Sequence, residues 1–262
     1  AGFGSIGEAV GGIRHTTGFP DLPPTRCGVS LGDALAAMFG VIGALAALTE
    51  ARQTGRGQEV DVAIYEAVAA LMESTMADYE LAGVVRGRSG SVLPGVAPSN
   101  VYPTRDGSEI LIAGNADSVF ARLCVAMGQP ELADDPRFAT HAARGANMEE
   151  LDSLVSAWTS TLDTNEALEI LDHHGVPAGR IYTAPDMLRD PHYLARGMVQ
   201  RVTSQQGWNV PVPGVVPRFT RTPGSIRSAG PAIGADTMSV LRDLAGIDEQ
   251  TLDELREAGL LG

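Results

Sequence analysis

Asp33 is the side chain in this sequence with the clearest chemical potential. It follows a turn-rich loop and stands directly before an uncharged, mostly apolar run from Ala34 to Thr49. An aspartate in this position can act as a helix N-cap, because its carboxylate accepts hydrogen bonds from free backbone N–H groups. It can also act as a catalytic carboxylate that the positive end of the helix dipole keeps ionised. The residues alone leave both roles open, and the two can coexist.

The cysteines and the paired histidines are weaker candidates for chemistry. Cys27 and Cys124 are far apart and fit no spacing typical of a metal or redox site, so we expect both to be packed, reduced thiols. His173 and His174 are adjacent, and therefore they cannot share one helix face as paired metal ligands do. The sequence predicts no metal site.

A glycine pattern near the start of the chain invites a nucleotide-binding interpretation. Residues 2, 4 and 7 fit G-x-G-x-x-G, the pattern of dinucleotide-binding loops. However, no strand precedes the pattern in this chain, and Gly11 and Gly12 interrupt the helix that should follow. We therefore expect no dinucleotide site here.

Composition limits the possible class of protein. A chain of 262 residues with 44% hydrophobic content can bury one large core or two modest ones. The net charge of −13 and the lack of a basic stripe argue against a nucleic-acid partner, whose phosphates need neutralising. The sequence has no signal peptide and no evident transmembrane run, so we expect a cytoplasmic protein without a membrane partner.

The elements that would position Asp33 can be read from the hydrophobic pattern. A helix at about Asp33–Arg52 is apolar all round, so we expect it to be buried, and too short and Ala/Gly-rich to span a bilayer. Alternation at Glu59–Ile64 predicts a strand, and Tyr65–Leu81 reads as a second helix. The Gly-, Ser- and Pro-rich stretch Gly83–Pro98 is typical of a linker.

The rest of the chain alternates short strands and amphipathic helices. Arg105-Asp106-Gly107 predicts a hairpin turn between strands at 101–102 and 109–113. A helix at Asp117–Met127 is expected to place Cys124 on its core face. Further helices are predicted at 149–162, 165–174 (capped by Thr164), 185–188, 191–196, 237–245 and 249–258, and further strands at 179–183, 198–203 and 210–212.

A family resemblance rests on TTGFPDLPPTRCGVSLGDALAAMFGVIGALAAL followed by TGRGQEVDVAIYEAV. These stretches resemble the class III CoA-transferases (CaiB/BaiF), the family of formyl-CoA transferase and carnitine CoA-transferase. The similarity continues through PTRDG, ELADDPRF and HHGVPAGRIYTAPDMLRDPH, and so covers nearly the whole chain. In transferases of that family the Asp of the Gly-Asp pair is the covalent nucleophile. The resemblance assigns this role to Asp33.

The resemblance implies an α/β fold with a Rossmann-like large domain, incomplete in this chain, and an inserted small α+β domain. Two such subunits are expected to interlock as rings in a homodimer. Family members carry a further N-terminal half that holds most of the CoA nucleotide, so this sequence reads as a fragment, a cleaved chain or a partial structure. The implied segments are 1–81 (large-domain part with the catalytic Asp), 82–99 (linker), 100–185 (small α+β domain), 186–218 (return linker) and 219–262 (C-terminal part of the large domain).

The chemistry implied by the resemblance is transfer of CoA from an acyl-CoA thioester to a small free carboxylic acid. Asp33 would form a mixed anhydride and then an aspartyl-CoA thioester, with no permanently bound cofactor. Gly2 and Phe3 are predicted to contact the substrate or CoA. Gly95 and Val96 occupy the region of a flexible glycine loop in the formyl-CoA transferases, but LPGVAPS is shorter and has fewer glycines. An interdomain linker is therefore the alternative role for Gly95.

Two other functions remain open. The α-methylacyl-CoA racemases of the same superfamily use an Asp together with a His from a GHD-like triplet about thirty residues earlier. Here that triplet is Gly2-Phe3-Gly4, and Phe3 cannot transfer a proton, while His15 lies in the wrong place. This disfavours racemisation. The second alternative is an inactive dimerisation fragment of such an enzyme.

Overall fold

The computed structural model describes residues 2–261, which form a mixed α/β fold. Their contacts divide the chain between Ile181 and Tyr182 into two compact units. The division into large-domain and small-domain segments expected from the family resemblance stays a prediction. The first unit contains α1 Gly4–Val10, α2 Ile13–Thr16, α3 Leu31–Thr54, α4 Ile64–Ala69, α5 Thr75–Ala82, β1 Ser99–Pro103, β2 Glu109–Ala113, α6 Asp117–Ala126, a 3-10 helix Pro130–Ala133, α7 His141–Ala146, α8 Met148–Thr159, α9 Thr164–His173 and β3 Ala178–Arg180.

The second unit is a hairpin with helices before and after it. Its elements are α10 Ala184–Arg189, α11 Pro191–Ala195, β4 Val199–Thr203, β5 Asn209–Pro213, α12 Thr237–Asp243 and α13 Glu249–Glu257. Strands β4 and β5 pair antiparallel from Val199 opposite Pro213 to Thr203 opposite Asn209. Gly207 has φ +81°, the left-handed conformation that the predicted glycine turn requires. The helices and strands predicted for this unit are confirmed to within two residues at nearly every end.

Helix α3 is the longest element and carries Asp33 in its first turn. The predicted helix is confirmed and extended by two residues at each end, to Leu31–Thr54. Gly55 ends it with φ +74° and donates its N–H to the Ala51 carbonyl at 2.8 Å, which satisfies one of the last free carbonyls. The stop predicted from TGRGQ is therefore correct.

The expectation that α3 is buried is wrong for the residues that the structure describes. Leu35 is buried, but a row of large apolar side chains on the rest of the helix is between 47% and 61% exposed. The cause is that α1, α4 and the segment at 59–63 cover one side of α3 only. The exposed side chains are Met38, Val41, Ile42, Leu45 and Leu48.

The expectation that α3 is too short to span a membrane is also wrong. Within residues 2–261 it is one helix of 24 residues that is long and apolar enough to cross a bilayer by length and composition. Core helices of globular proteins and signal sequences meet the same criterion, so this property does not assign α3 to a membrane.

Helix α1 packs closely on α3 and α4 through a row of glycines. A Cβ atom built on Gly7 would lie 2.4 Å from Cγ2 of Ile64, and one on Gly11 would lie 2.6 Å from Cβ of Val68. Neither position can hold a side chain without moving its neighbour. The glycines that fit the dinucleotide pattern at positions 4 and 7 therefore serve helix packing. The expected interruption of this helix by Gly11 and Gly12 is confirmed, because α1 ends at Val10 with Gly11 at its cap and Gly12 has φ +98°.

The connection from α3 to α4 differs from the predicted strand. Within the described part of the chain, residues 59–63 form no strand and belong to neither sheet. Val60 packs instead over Gly43 of α3, where a Cβ atom would lie 2.6 Å from Cγ1 of Val60. The alternation of apolar residues reflects packing along a helix.

The helix predicted at Tyr65–Leu81 is divided into α4 and α5 by a turn. Glu73 lies in this turn with φ +50°, a conformation that a helix cannot contain. The Arg86 guanidinium holds Glu73 through a hydrogen bond of 2.9 Å, and it also pairs with Asp78 at 3.0 Å. The local pattern does not indicate this turn, and since the Glu73 side chain is 72% exposed, its ion pair with Arg86 adds little stability.

The larger core of the first unit lies between the sheet and helices α6, α8 and α9. The sheet has the antiparallel order β1-β2-β3, with Tyr102 opposite Ile110. Both side chains are fully buried, as is Cys124 on α6, where the sequence places it. Asp163, rather than the predicted Thr164, is the N-cap of α9, since Thr164 is already its first helical residue.

We predict that Gly11→Ala lowers the free energy of unfolding by about 1–3 kcal/mol, because the added methyl would overlap Val68 and the Tyr65 carbonyl. Gly40→Ala is the matched control, since nothing lies within 4 Å of that position in α3. It should gain up to about 1 kcal/mol from the better helix former. Urea unfolding measures both values. A Gly11→Ala protein as stable as the wild type would contradict the close packing of α1.

Candidate active site

Asp33 is the third residue of α3, and its carboxylate is exposed. The interpretation of Asp33 as the N-cap is wrong, because Ser30 occupies the cap position and no side chain there caps the helix. In the first turn Asp33 still lies at the positive end of the helix dipole, which stabilises a negative charge. The carboxylate is therefore held at a helix end without being used to cap it.

The Asp33 carboxylate lies against the backbone of α1 at Gly4. A Cβ atom built on Gly4 would lie 2.5 Å from Oδ2 and 2.8 Å from Oδ1 of Asp33. Any side chain at position 4 would therefore occupy the volume of the carboxylate. The sequence analysis missed Gly4 as a site residue, although its place in the small-residue spacing of Gly4, Gly7 and Gly11 is a signal of close helix packing.

Glu8 is a second residue that sequence reasoning missed. Its carboxylate is buried on α1 and accepts the N–H of Gly32, the residue before Asp33, at 3.4 Å. A lone acid among small residues carries no sequence signal of burial, so the contact is visible only in the structure.

An apolar hollow of about 310 Å³ lies along α1 and the start of α4. Phe3 precedes Gly4 directly, so the wall of the hollow begins one residue from the point where α1 touches Asp33. Gly2 and Phe3 line this hollow, and their predicted contact with the substrate or CoA stays a prediction. The residues that line the hollow are Gly2, Phe3, Ile6, Gly7, Val10, Ala63, Ile64 and Tyr65.

Gly95 and Val96 do not line this hollow. They form a turn in which Gly95 has φ +78° and Val96 donates its N–H to the Leu93 carbonyl at 3.0 Å. Because that N–H is already paired, Val96 could bind an oxyanion only if the turn opened. Their predicted contact with substrate stays a prediction.

The Gly95 turn packs on α7, where Arg144 and Gly145 make the contacts. A Cβ atom on Gly145 would lie 2.4 Å from the Gly95 carbonyl oxygen, so α7 contacts the turn backbone directly. Arg144 is fully buried and donates to the carbonyls of Ala97 at 3.2 Å, Phe138 at 2.9 Å and Asn115 at 2.8 Å. The turn is thus fixed to the larger core.

Arg144 also pairs with Asp117 at 2.6 Å and lies 4.7 Å from the centre of the Phe120 ring. Its hydrogen bond lowers the pKa of the Asp117 carboxyl below the usual value. Asp117 is 70% exposed, so this ion pair contributes little beyond the three carbonyl contacts.

The two thiols differ in environment. Burial raises the pKa of Cys124 to about 11, which leaves it protonated and unreactive at neutral pH. Cys27 is half-buried in the loop before α3. Within residues 2–261 no group of three or more His, Cys, Asp or Glu side chains is arranged to hold a metal ion.

Three comparisons relate this chain to known proteins. The sequence model of CoA-transferase family III matches residues 1–237. Succinyl-CoA–D-citramalate CoA-transferase of Chloroflexus aurantiacus is 53% identical over 256 residues, which cover 98% of this chain and 64% of that protein. The succinyl-CoA–L-malate CoA-transferase alpha subunit of the same organism is 35% identical over 262 residues, covering 100% of this chain and 61% of that subunit.

A solved structure gives the same result for the fold. The crystal structure of a CaiB/BaiF family protein from Brucella suis matches with a TM-score of 0.75 and 32% identity, covering 93% of this chain and 63% of that one. The chain therefore spans less than two thirds of the length of these relatives.

We predict that Gly4→Ala displaces the Asp33 carboxylate and lowers by about 100-fold any reaction that this group carries, the cost of a misplacement of about 1 Å. Because an Asp side chain can rotate away from the new methyl, the melting temperature should change little. Gly28→Ala, in open space within the loop before α3, is the control and should leave the rate unchanged. A Gly4→Ala protein with wild-type turnover would contradict the contact.

We further predict that Arg144→Met lowers the free energy of unfolding by at least about 2 kcal/mol, since three carbonyl groups lose a donor. Arg137 is the matched control, because it also pairs with an aspartate and lies 5.0 Å from a phenylalanine ring, but is half exposed. Arg137→Met should cost no more than about 1 kcal/mol. If both substitutions lower the free energy of unfolding equally in denaturant titrations, then the burial of Arg144 does not determine its contribution to stability.

Proposed function

Since this chain belongs to CoA-transferase family III, we propose that it carries the nucleophile of an enzyme that moves CoA from an acyl-CoA thioester to a carboxylic acid. The observation that carries the proposal is the placement of Asp33. Its carboxylate is exposed in the first turn of α3 and lies against the side-chain-free α-carbon of Gly4, whose chain neighbours Gly2 and Phe3 line an apolar hollow.

The reaction begins when an oxygen of Asp33 attacks the thioester carbonyl. The carbon–sulfur bond breaks, CoA leaves as the thiolate, and a mixed anhydride of Asp33 and the donor acid forms. The thiolate then attacks the Asp33 carbonyl carbon, which breaks the anhydride and releases the donor acid with one oxygen that came from Asp33. The acceptor acid reverses both steps and leaves as its CoA thioester. Because the thioester energy is conserved, the exchange needs no further co-substrate.

The protein must keep water from the anhydride and stabilise the tetrahedral oxyanions. The apolar walls of the hollow, from Phe3 to Tyr65, suit the exclusion of water and could hold the pantetheine arm of CoA. The amide groups of the first turn of α3 provide a positive field at Asp33. The Gly95 turn remains the proposed source of further backbone donors, on the condition that the Val96 N–H leaves the Leu93 carbonyl when substrate binds.

We propose succinyl-CoA as the donor and a dicarboxylic acid as the acceptor. The support comes from the names of the relatives, which describe transfer from succinyl-CoA to D-citramalate and to L-malate. CoA is thus a substrate, and we propose no resident cofactor.

The assembled protein is proposed to have the Rossmann-like large domain and interlocked dimer that the family resemblance implies. The exposed apolar row on α3 supports this proposal, since five large apolar side chains in contact with water are unfavourable unless another surface covers them. A relative that is named as one of two subunits, alpha and beta, leaves a heteromeric arrangement as the alternative.

We expect Asp33→Ala to lower kcat/KM for CoA exchange between succinyl-CoA and a dicarboxylic acid by at least about 10⁴-fold, the scale of losing a covalent catalytic group. Asp21→Ala, which removes an exposed acid of the preceding loop, should leave the rate unchanged. Chromatographic separation of the CoA thioesters measures the exchange.

The same samples separate the competing functions. Substantial turnover by Asp33→Ala would contradict the nucleophile assignment. Exchange of the α-proton of a 2-methylacyl-CoA for deuterium, without CoA transfer, would favour the racemase. The absence of both activities would favour an inactive dimerisation fragment.

A further inference from the structure

Glu8 is a buried acid that the proposed reaction does not use. It lies on α1, is 2% exposed, and its two carboxylate oxygens have different partners. Oε1 accepts the backbone N–H of Gly32 at 3.4 Å, and Oε2 accepts from Nε of Arg14 at 3.3 Å. A carboxylate that is buried this completely is costly unless it is paired, so its retention next to Asp33 needs a reason.

Helices α1 and α3 each place an acidic side chain against a glycine of the other helix. Asp33 of α3 lies over Gly4 of α1. Glu8 of α1 lies over Gly32 of α3, where a Cβ atom would be 3.0 Å from Cγ2 of Ile64 and 3.2 Å from the Cγ methylene of Glu8. The same Cβ atom would be 3.5 Å from the Gly4 carbonyl oxygen. The two residues of the family's Gly-Asp pair thus have different roles. Gly32 leaves space for the Glu8 side chain, and Asp33 contacts Gly4.

The hydrogen bond from Gly32 to Glu8 also gives one of the free N–H groups at the start of α3 an acceptor. Gly32 is the second residue of the helix, and its N–H is one of the donors that have no partner within a helix. The cap residue Ser30 makes no side-chain cap bond. Glu8 therefore caps α3 from another helix, one peptide before Asp33, while Arg14 compensates the added negative charge.

We infer that Glu8, supported by Arg14, is a positioning residue for the Asp33 nucleophile. It fixes the peptide between Leu31 and Gly32, one peptide before Asp33, and so holds the carboxylate over Gly4 in the orientation needed for attack on the thioester. The inference rests on the proposed function, because it takes Asp33 as the nucleophile. Glu8 contacts neither substrate nor the reacting atoms.

The test compares two substitutions in the purified, active protein. Glu8→Met keeps the length of the side chain but removes the acceptors, and it should lower kcat for CoA exchange by about 100-fold. Glu8→Gln keeps one acceptor for Gly32, but its amide N–H₂ would face the Arg14 donor, so we expect an intermediate loss of about 10-fold. KM for succinyl-CoA should stay within about threefold of wild type, as expected when ground-state binding is retained.

A cap on a distant helix provides the control for stability. Asp248 accepts the N–H of Thr251 at 3.0 Å at the start of α13, so Asp248→Ala also removes a carboxylate cap. It should lower the melting temperature without lowering kcat. If kcat of the Glu8 variants falls by more than the unfolded fraction of the protein can explain, and Glu8→Gln loses less than Glu8→Met, then Glu8 positions Asp33 and does not only stabilise the fold.

Several outcomes would overturn the inference. They are wild-type kcat in folded Glu8→Met, a loss of activity that only follows the unfolded fraction, and a rise in KM at unchanged kcat. If Glu8→Met does not fold, Glu8→Gln decides alone, and wild-type kcat in that variant contradicts the inference. An active wild type with unaffected Glu8 variants rejects this inference only, whereas a wild type without CoA exchange rejects the proposed function and the inference with it.

Discussion

The site depends on how closely α1 can approach the first turn of α3. Two helices normally keep their backbones apart by the size of the side chains between them, and here glycines remove those side chains at Gly4 and Gly32. The space at Gly4 is occupied by the Asp33 carboxylate, and the space at Gly32 by a methyl of Ile64 and the Cγ methylene of Glu8. A single close approach therefore determines where Asp33 lies, where Glu8 is buried and where the wall of the hollow begins.

The same contact explains why the small residues of α1 cannot be exchanged freely. Gly7 and Gly11 continue the close packing onto Ile64 and Val68, so that α1 is held along its length. The glycines at positions 4 and 7 imitate a dinucleotide-binding pattern in the sequence, but their function in the fold is steric. Whether such glycines bind a nucleotide or allow close helix packing depends on which atoms lie against them, and only the tertiary structure shows this.

Much of the local structure was predictable because strong local signals determine it. The hairpin at Gly107, the end of α3 at Gly55 and the core face of α6 each follow from turn chemistry or periodicity. The family motif also indicated Asp33 as the nucleophile, and this role stays a prediction, as does the substrate contact of Phe3, which lines the hollow along α1. The predictions failed where a distant residue decides the outcome. Val60 packs on Gly43 instead of pairing in a sheet, and a turn at Glu73, in contact with Arg86, divides the predicted helix. Glu8 was not predictable for the same reason, since its partners Gly32 and Arg14 come from separate segments.

The central claim is that Asp33 forms covalent intermediates, and oxygen transfer tests it most directly. The protein is incubated with succinyl-CoA and succinate labelled with ¹⁸O in both carboxyl groups, and the peptide Cys27–Arg52 is then analysed by fragmentation mass spectrometry. Because the acid that leaves the anhydride takes an oxygen from Asp33 and the entering acid returns one, the account predicts ¹⁸O in the Asp33 carboxyl and none in Glu50 of the same peptide. Continued CoA exchange without label in Asp33 would contradict the account.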